Sequence, residues 1–311
     1  MNDDQFSWHL TYTGVSLDRA AELRPSSDQI EKMQFSDKAR VLPVWNGMHF
    51  FEKDGVEPLW IASAEVESFL DQYTNPIFLG VGGDIPWFTL PLMGEAPPAS
   101  LASDGVFELL HPRVGSIHAE QAALLSYARG MVLWHLNCLH CGRCGAITES
   151  HDAGHVRSCT NESCGHRMFP RTDPAVITLV IHPDGDKCLL GRQSRWPDGM
   201  YSVVAGFVEP GESLEECVKR EVQEETGIET TDIRYIASQP WPFPSSLMLG
   251  FTAQALNAEF NPGDDELDDI RWVTRTELST YGEMSDGTEG PKLPNSFSIA
   301  RMLLERWRFS E

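Results

Sequence analysis

The pattern of hydrophobic and polar positions divides the chain into three regions. In the first region, short apolar stretches separated by turn signals predict strands, the clearest at 41–45. Apolar residues at helical spacing then predict a helix over 119–134, interrupted at Gly130. Residues 136–170 are short of large apolar side chains and cannot build an ordinary core. The first region is therefore predicted to be a mixed α/β domain. The segment at 136–170 is predicted to depend on a source of stability other than an apolar core.

The third region has the pattern of a layered α/β domain. A β-branched run at 175–181 predicts a buried strand, and apolar residues at helical spacing predict a helix over 213–226 that Gly227 ends. Further strands are predicted at 188–190, 201–205, 247–255 and 270–273, and a closing amphipathic helix at 296–307. No sequence repeat at a fixed period is evident anywhere in the chain.

Charge limits the kinds of partner that the chain can bind. There are 46 acidic and 24 basic side chains, a net charge of −22. Such a field repels nucleic acid and anionic lipid, so a phosphate-bearing ligand would need bound cations beside it. No apolar run approaches the roughly 18–20 residues that span a bilayer, and the N-terminal MNDDQFSWHL carries acids where a secretory signal carries positive charge. We therefore expect a cytoplasmic protein with no membrane partner.

The predicted helix at 213–226 is unusually acidic. Seven glutamates lie in residues 209–225, against two basic side chains. Glu221, Glu224 and Glu225 share one face of the helix, because they lie three or four residues apart. Like charges at this spacing destabilise a bare helix by roughly a few tenths of a kcal/mol per pair, and Mg²⁺, which prefers carboxylate and phosphate oxygens, would remove that cost. The spacing alone leaves a solvated acidic face as the alternative.

The residues around these glutamates narrow the interpretation. Gly206-Phe-Val-Glu-Pro-Gly-Glu212, seven further residues and Arg220-Glu221-Val222-Gln223-Glu224-Glu225-Thr226-Gly227-Ile228 resemble the Nudix box at every defined position. The resemblance implies a Nudix α/β/α sandwich with a mixed sheet, in which the box forms a loop, a helix and a loop. It also implies about two to three Mg²⁺ or Mn²⁺ ions, held by Glu221, Glu224, Glu225 and the backbone carbonyl of Ala205. Arg220 would position a box glutamate by ion pairing, and Glu225 is the candidate general base.

A second motif, Ser238-Gln-Pro-Trp-Pro-Phe-Pro-Ser-Ser246, follows the box. Prolines at alternate positions fix φ and extend each preceding residue, so Trp241 and Phe243 are expected on a stiff loop. Rings held in this way could stack on a base or a nicotinamide, for about 1–3 kcal/mol per ring. The alternative is that the two rings pack into a core beneath a rigid loop.

This motif resembles the signature that distinguishes NADH pyrophosphatases from other Nudix enzymes. The resemblance implies a substrate-binding segment formed by Gln239, Pro240, Trp241, Pro242, Phe243, Pro244, Ser245 and Ser246. It implies that Glu266 is a further metal ligand, although an exposed acid in an acidic loop is the alternative. Phe169 and Ala300 fall where the family contacts substrate, and Phe207 follows the box glycine as an aromatic that would cover the nicotinamide; ordinary packing is the alternative for each of the three.

Five of the seven cysteines lie between Cys138 and Cys164. Cys141, Cys144, Cys159 and Cys164 can complete one tetrahedral structural Zn²⁺ site, which would stabilise a segment without a core. The spacing departs from the usual form, because four residues rather than two separate the second pair. Cys138, His140, His155 and His166 are alternative ligands. The same family carries a zinc ribbon at this place in the chain, and Cys188 and Cys217 are expected in the core.

The resemblance covers residues 136–311 and implies a zinc ribbon at 136–170 and a Nudix catalytic domain at 171–311; residues 1–135 are placed as the family's N-terminal domain by their position only. It implies hydrolysis of NAD(H) to nicotinamide mononucleotide and AMP, removal of NAD caps from RNA 5′ ends, and a homodimer. Two alternatives are a zinc-ribbon module that senses or binds nucleotides without turnover, and a Nudix hydrolase that prefers ADP-ribose or dinucleoside polyphosphates.

Overall fold

The computed structural model describes residues 10–70, 75–263, 266–287 and 289–310. The chain forms two compact units. The N-terminal unit comprises Tyr12–Thr172 and Pro242–Ser245, and the C-terminal unit comprises Met1–Thr11, Asp173–Trp241 and Ser246–Glu311. The N-terminal acids, and Asp264 and Asp265 beside Glu266, lie outside the described residues. The three-domain division stays a prediction.

A mixed sheet forms the centre of the N-terminal unit. Its strands are β1 (Arg40–Trp45), β2 (Met48–Glu52), β3 (Ile61–Ala62), β4 (Ile77–Gly82), β5 (Ile85–Leu92) and β6 (Gly105–Glu108). They are ordered β4-β5-β1-β2-β6, with β3 also paired to β1. Only β1 and β5 run parallel; the other pairs are antiparallel. The predicted strand at 41–45 is confirmed as the central strand β1, whose four inner residues are all buried.

The turn between β1 and β2 follows directly from its sequence. Asn46 and Gly47 have φ values of 48° and 75°, the left-handed conformations that a two-residue type I′ hairpin turn requires. Glycine adopts this conformation without strain, and asparagine tolerates it better than most residues.

Among its described residues, the same unit has four α-helices: α1 (Ser27–Gln34), α2 (Ser63–Val66), α3 (Leu110–Arg113) and α4 (Ala119–Asn137). The predicted interruption of the long helix is wrong, because α4 continues through Gly130 to Asn137. Glycine lowers helix propensity by about 1 kcal/mol relative to alanine, and the buried apolar face of α4, which includes Leu125 and Val132, outweighs that cost.

A small antiparallel sheet occupies the cysteine-rich segment. Its strands are β7 (Thr148–His151), β8 (Val156–Cys159) and β9 (Arg167–Met168), in the order β7-β8-β9. Three strands of two to four residues bury few side chains, so this segment has no large apolar core of its own, as the sequence predicted.

The C-terminal unit is built on a second mixed sheet. Its strands are β10 (Asp173–Ile181), β11 (Lys187–Arg192), β12 (Val204–Phe207), β13 (Thr230–Trp241), β14 (Ser246–Ala255) and β15 (Asp269–Thr274), and a separate parallel pair is formed by β16 (Gly282–Glu283) and β17 (Lys292–Leu293). The order is β13-β14-β10-β11-β15, with β12 paired to β10. The strand predicted at 201–205 is displaced to Val204–Phe207, because Ser202 forms only an isolated bridge to Gly191.

Helices cover both faces of this sheet, which confirms the α/β/α sandwich. They are α5 (Leu214–Thr226), α6 (Arg275–Leu278) and α7 (Ile299–Phe309). Along β10, Val176 and Val180 pack in the core that contains α5, whereas Ile177 and Leu179 pack in the core that contains α7. This alternation is the period of a strand buried on both sides. Cys188 and Cys217 are both fully buried, one in each core, as predicted.

Strand β13 was not predicted, and it changes the expected proline loop. Pro240 and Trp241 pair with Leu247 and Ser246, so only Pro242–Ser245 forms the turn. Proline is tolerated here because β13 is an edge strand of the sheet. The register of β13 shifts twice along its length, and such irregularities remove the simple alternation by which a strand is recognised in a sequence.

The two sheets share one topology. A parallel pair lies at the centre of each, β1 with β5 and β10 with β14, and every other strand has a counterpart in the same position. The helix that follows β3 or its counterpart β12 differs in length between the two sheets: α2 has 4 residues and α5 has 13. The fold therefore contains a repeat that the sequence does not show.

Among the helices of the described residues, none is both long enough and apolar enough to span a membrane.

Gly130→Ala is expected to stabilise the chain by about 0.5–1 kcal/mol. The reason is that α4 is continuous and that a Cβ at this position would meet no atom within 4 Å. The measurement is the midpoint of thermal unfolding. Gly227→Ala is the contrasting variant, because Gly227 has φ 74° and its Cβ would collide with the backbone of Asn261; its midpoint should fall. A lower midpoint for Gly130→Ala would contradict the continuous helix.

Candidate active site and metal centres

Local sequence fixes both ends of α5. Ser213 is the N-cap: its side chain accepts a hydrogen bond from the backbone N–H of Glu216, whose carboxylate accepts one from the N–H of Ser213. This capping box satisfies two donors that the first turn would leave open. Gly227 ends the helix in the left-handed conformation. The acidic face is therefore presented from a helix with fixed limits.

Arg220 is the centre of the ion-pair network on this helix. Its guanidinium donates to Glu212 at 2.7 and 3.1 Å, to Glu221 at 2.9 Å and to Glu224 at 3.0 Å. It also donates to the carbonyl oxygen of Phe207 at 2.9 Å. The hydrogen bond from Arg220 lowers the pKa of Glu212 to about 2. One cation thus ties the loop after β12 to two glutamates of the helix.

Glu221 lies against the backbone at the end of β12. Its carboxylate occupies the space that a Cβ on Gly206 would need, which explains why the box requires glycine there. Ala205, whose carbonyl is the predicted metal ligand, is the preceding residue. Burial raises the pKa of Glu221, and the negative charges of Glu224 and Glu266 act in the same direction against the Arg220 cation.

The three glutamates on the helix face differ in exposure. Glu225 is buried, with 3% of its surface exposed, whereas 53% of the Glu224 side chain is exposed. Burying a carboxylate is costly unless hydrogen bonds or cations compensate it. A hard divalent cation suits these oxygen donors, so the residues present fit the predicted metals.

Glu266 is held by two residues that the sequence did not indicate. Gln193, which is buried, donates to the Glu266 carboxylate at 2.7 Å and accepts from Arg195 at 2.7 Å. Arg195 also lies 3.6 Å from Glu266. These residues meet because β11 ends at Arg192 and pairs with β15, which begins at Asp269. A single glutamine after a strand carries no pattern by which the sequence could have revealed this role.

The four predicted zinc ligands lie together. The ligand atoms of Cys141, Cys144, Cys159 and Cys164 are all within 4.8 Å of one another. The Cys141–Cys164 and Cys144–Cys159 sulfur pairs are 3.8 and 3.4 Å apart, near the spacing of about 3.8 Å that tetrahedral Zn–S bonds of about 2.3 Å give. Cys138 and the three alternative histidines are outside this group. Within the described residues, the box glutamates do not form a comparably tight group of ligand atoms.

The proline segment divides into residues that face inward and residues that remain accessible. Gln239 is fully buried: its amide donates to the carbonyls of Thr11 and Phe297 and accepts from the N–H of Ile299. Pro242 and Ser246 are also buried, whereas Pro240, Trp241, Phe243 and Ser245 are partly buried and Pro244 is exposed. Both the NH₂ group and the oxygen of the Gln239 amide are therefore used in hydrogen bonds within the protein.

The other three predicted substrate residues have different environments. Phe169 and Phe207 are 55% and 59% exposed, which leaves both rings accessible to a ligand. Ala300 is buried in the first turn of α7 and belongs to its core. Ordinary packing explains Ala300 without a ligand.

Comparison with known proteins assigns a family to both halves of the chain. Residues 171–290 match the model of the NUDIX domain, and residues 38–134 match the NADH pyrophosphatase-like rudimentary NUDIX domain. The second description agrees with the shared topology of the two sheets and with the short α2. Nudix enzymes use divalent metal ions.

Curated relatives extend the match over most of the chain. The NAD-capped RNA hydrolase NUDT12 of Homo sapiens is 32% identical over 340 residues, covering 95% of this chain and 72% of that protein. The NAD-capped RNA hydrolase NudC of Mycobacterium bovis is 45% identical over 193 residues, covering 60% of this chain and 61% of that protein. Nudix hydrolase 19 (chloroplastic) of Arabidopsis thaliana is 46% identical over 164 residues, covering 51% of this chain and 37% of that protein. The chain therefore belongs to the Nudix hydrolase family, among the members that join a NUDIX domain to an NADH pyrophosphatase-like rudimentary NUDIX domain.

Proposed function

We propose that this protein hydrolyses the pyrophosphate bond of NAD(H) to AMP and nicotinamide mononucleotide. The observation that carries the proposal is the carboxylate face of α5, in which Arg220 binds Glu221 and Glu224 and the Glu221 carboxylate lies against Gly206 of β12. The names of its relatives, the NAD-capped RNA hydrolases, support a dinucleotide as the substrate. The alternatives of a nucleotide sensor without turnover, or of a preference for ADP-ribose or dinucleoside polyphosphates, are not favoured.

Glu221, Glu224, Glu225, Glu266 and the carbonyl of Ala205 would hold two or three Mg²⁺ or Mn²⁺ ions. When bound, such ions neutralise the diphosphate oxygens and lower the pKa of an attacking water. Arg220 keeps Glu221 and Glu224 in place by sharing its N–H groups between them. Glu225 accepts the proton of the water as the water oxygen bonds to phosphorus and the bridging P–O bond breaks. Each mononucleotide leaves with one phosphate.

The accessible aromatic rings supply the base contacts in this proposal. Trp241 is adjacent to the Pro242–Ser245 turn, and Phe169 and Phe207 are exposed; stacking contributes about 1–3 kcal/mol per ring. Gln239 acts through the backbone that it holds. The same bond joins NAD to a capped RNA 5′ end, so we include removal of NAD caps, with few contacts to the RNA beyond the cap because the net charge is −22.

Three further assignments complete the proposal: the protein is cytoplasmic, acts as a homodimer and carries one structural Zn²⁺ on its four clustered cysteines.

Cys144→Ser should lower the bound zinc from about one ion per chain to a small fraction, because four thiolates complete the tetrahedral site. Elemental analysis of the purified protein measures this. Cys138→Ser is the matched control, since Cys138 lies outside the cluster, and it should retain zinc. Equal zinc content in both variants would contradict the assignment.

The substrate is tested by incubating the protein with NADH, NAD⁺, ADP-ribose, diadenosine polyphosphates and NAD-capped RNA in Mg²⁺ or Mn²⁺. The expected result is the highest kcat/KM on NAD(H) or NAD-capped RNA, with no turnover after chelation. A higher kcat/KM on ADP-ribose than on NADH would contradict the dinucleotide specificity. No cleavage of any of these compounds would contradict enzymatic activity itself.

Glu225→Gln should lower kcat for NADH by about 10²–10⁴-fold, because an amide cannot accept the proton from the attacking water. KM should change little. Glu215→Gln is the control, since Glu215 is an exposed residue of the same helix and is not among the proposed ligands. Steady-state kinetics of the two variants measure the difference, and near-wild-type turnover of Glu225→Gln would exclude Glu225 as the base.

A further inference from the structure

Arg129 in α4 is a partly buried cation whose partners are backbone carbonyls. Its Nε donates to the carbonyl oxygen of Pro242 at 2.7 Å, and its Nη1 donates to the carbonyl oxygen of Gly47. Among the described residues, no carboxylate forms an ion pair with it. A guanidinium presents its donors in a rigid plane, so two carbonyl partners fix its direction and, in turn, the position of each carbonyl.

The Gly47 side of this arrangement is built by the β1–β2 turn. The left-handed conformations of Asn46 and Gly47 aim the Gly47 carbonyl at α4. A Cβ on Gly47 would collide with the Arg129 guanidinium, so the approach depends on glycine for room as well as for conformation. The hairpin therefore forms a fixed support for the arginine within the N-terminal unit.

The other side of the arrangement is the turn Pro242–Ser245, which belongs to the same unit. The Arg129 Cζ atom lies 5.3 Å from the centre of the Phe243 ring. Tyr12 and His111 meet the same ring edge-on, at centroid distances of 5.7 and 5.3 Å. Pro242 is buried. Both the backbone and the aromatic side chain of the turn are held by residues from the first 130 positions of the chain.

We infer that Arg129 is a positioning residue for substrate recognition: by binding the Pro242 carbonyl and the Phe243 ring, it fixes the turn and thereby the adjacent Trp241. This inference rests on the proposed function, and it gives the rudimentary domain a role in specificity. Phe243 is an anchor for the turn, and Trp241 is the ring that contacts the nicotinamide. ADP-ribose lacks that base, so its hydrolysis depends less on Arg129.

The test compares Arg129→Met with Arg113→Met. Arg113 has two similar contacts: its Nη1 donates to the carbonyl of Gly55 at 2.9 Å and its Cζ lies 5.4 Å from the centre of the Phe51 ring. Unlike Arg129, it also forms an ion pair, with Glu108. None of these partners belongs to the Pro242–Ser245 turn. Methionine preserves much of the volume of each side chain but removes its hydrogen bonds.

Arg129→Met should lower kcat/KM for NADH by about tenfold to a hundredfold, the usual range for loss of a hydrogen bond from a charged donor. The effect on ADP-ribose should be several times smaller. Arg129→Lys should restore part of the loss, because it retains the charge and one donor. Arg113→Met should leave the ratio of NADH to ADP-ribose hydrolysis at its wild-type value. If Arg129→Met leaves the ratio of NADH to ADP-ribose hydrolysis unchanged, either because both fall equally or because neither falls, the inference is overturned.

Hydrogen exchange in peptides covering residues 238–246 reads the segment itself, independently of the substrate. Exchange should be faster in Arg129→Met than in wild type or in Arg113→Met; unchanged exchange would overturn the inference. If wild type fails to cleave NADH, the proposed function fails while the exchange result still decides the role of Arg129 in positioning the turn. If Arg129→Met does not fold, Arg129→Lys takes its place in both measurements.

Discussion

The arrangement of this protein's candidate active site depends on the way one arginine shares its donors among carboxylates. Arg220 binds Glu212 in the loop after β12 and Glu221 and Glu224 on α5. The helix alone would bring like charges together at an energetic cost. Arg220 offsets part of that cost, and Gly206 gives the Glu221 carboxylate room to approach the backbone at the end of β12. The excess negative charge that remains is what divalent cations would neutralise.

The rudimentary domain has the same sheet topology as the C-terminal unit but no counterpart of α5 with an acidic face. It keeps the parallel central pair and the hairpins of the C-terminal sheet. A long helix, α4, follows its last strand, as α7 follows β15. The counterpart of α5, however, is α2, which has only 4 residues. A helix of one turn cannot present three carboxylates on a face. The domain has instead a hairpin turn and an arginine that hold the Pro242–Ser245 turn, so the copy without a box contributes to the position of a predicted substrate segment.

The sequence predicted those features that are encoded locally. The limits of α5 follow from Ser213 and Gly227, and the four clustered cysteines follow from two short motifs. Features that depend on distant partners could not be predicted: Gly130 does not interrupt α4 because packing along that helix outweighs its low propensity, and Ser238–Trp241 joins an irregular edge strand. Gln193 reaches Glu266 only through the pairing of β11 with β15. The predicted substrate segment was recognised by resemblance, but the difference between fully buried Gln239 and partly buried Trp241 and Phe243 required the structure.

Identification of the bond that is broken tests the central claim most directly. NADH is incubated with the metal-loaded protein in H₂¹⁸O, and the products are analysed by mass spectrometry. Hydrolysis of the pyrophosphate predicts AMP and reduced nicotinamide mononucleotide in equal amounts, with one ¹⁸O atom in the phosphate of one of the two. Free dihydronicotinamide together with an ADP-ribose product would show cleavage at the glycosidic bond and would contradict the claim, as would the absence of any metal-dependent product.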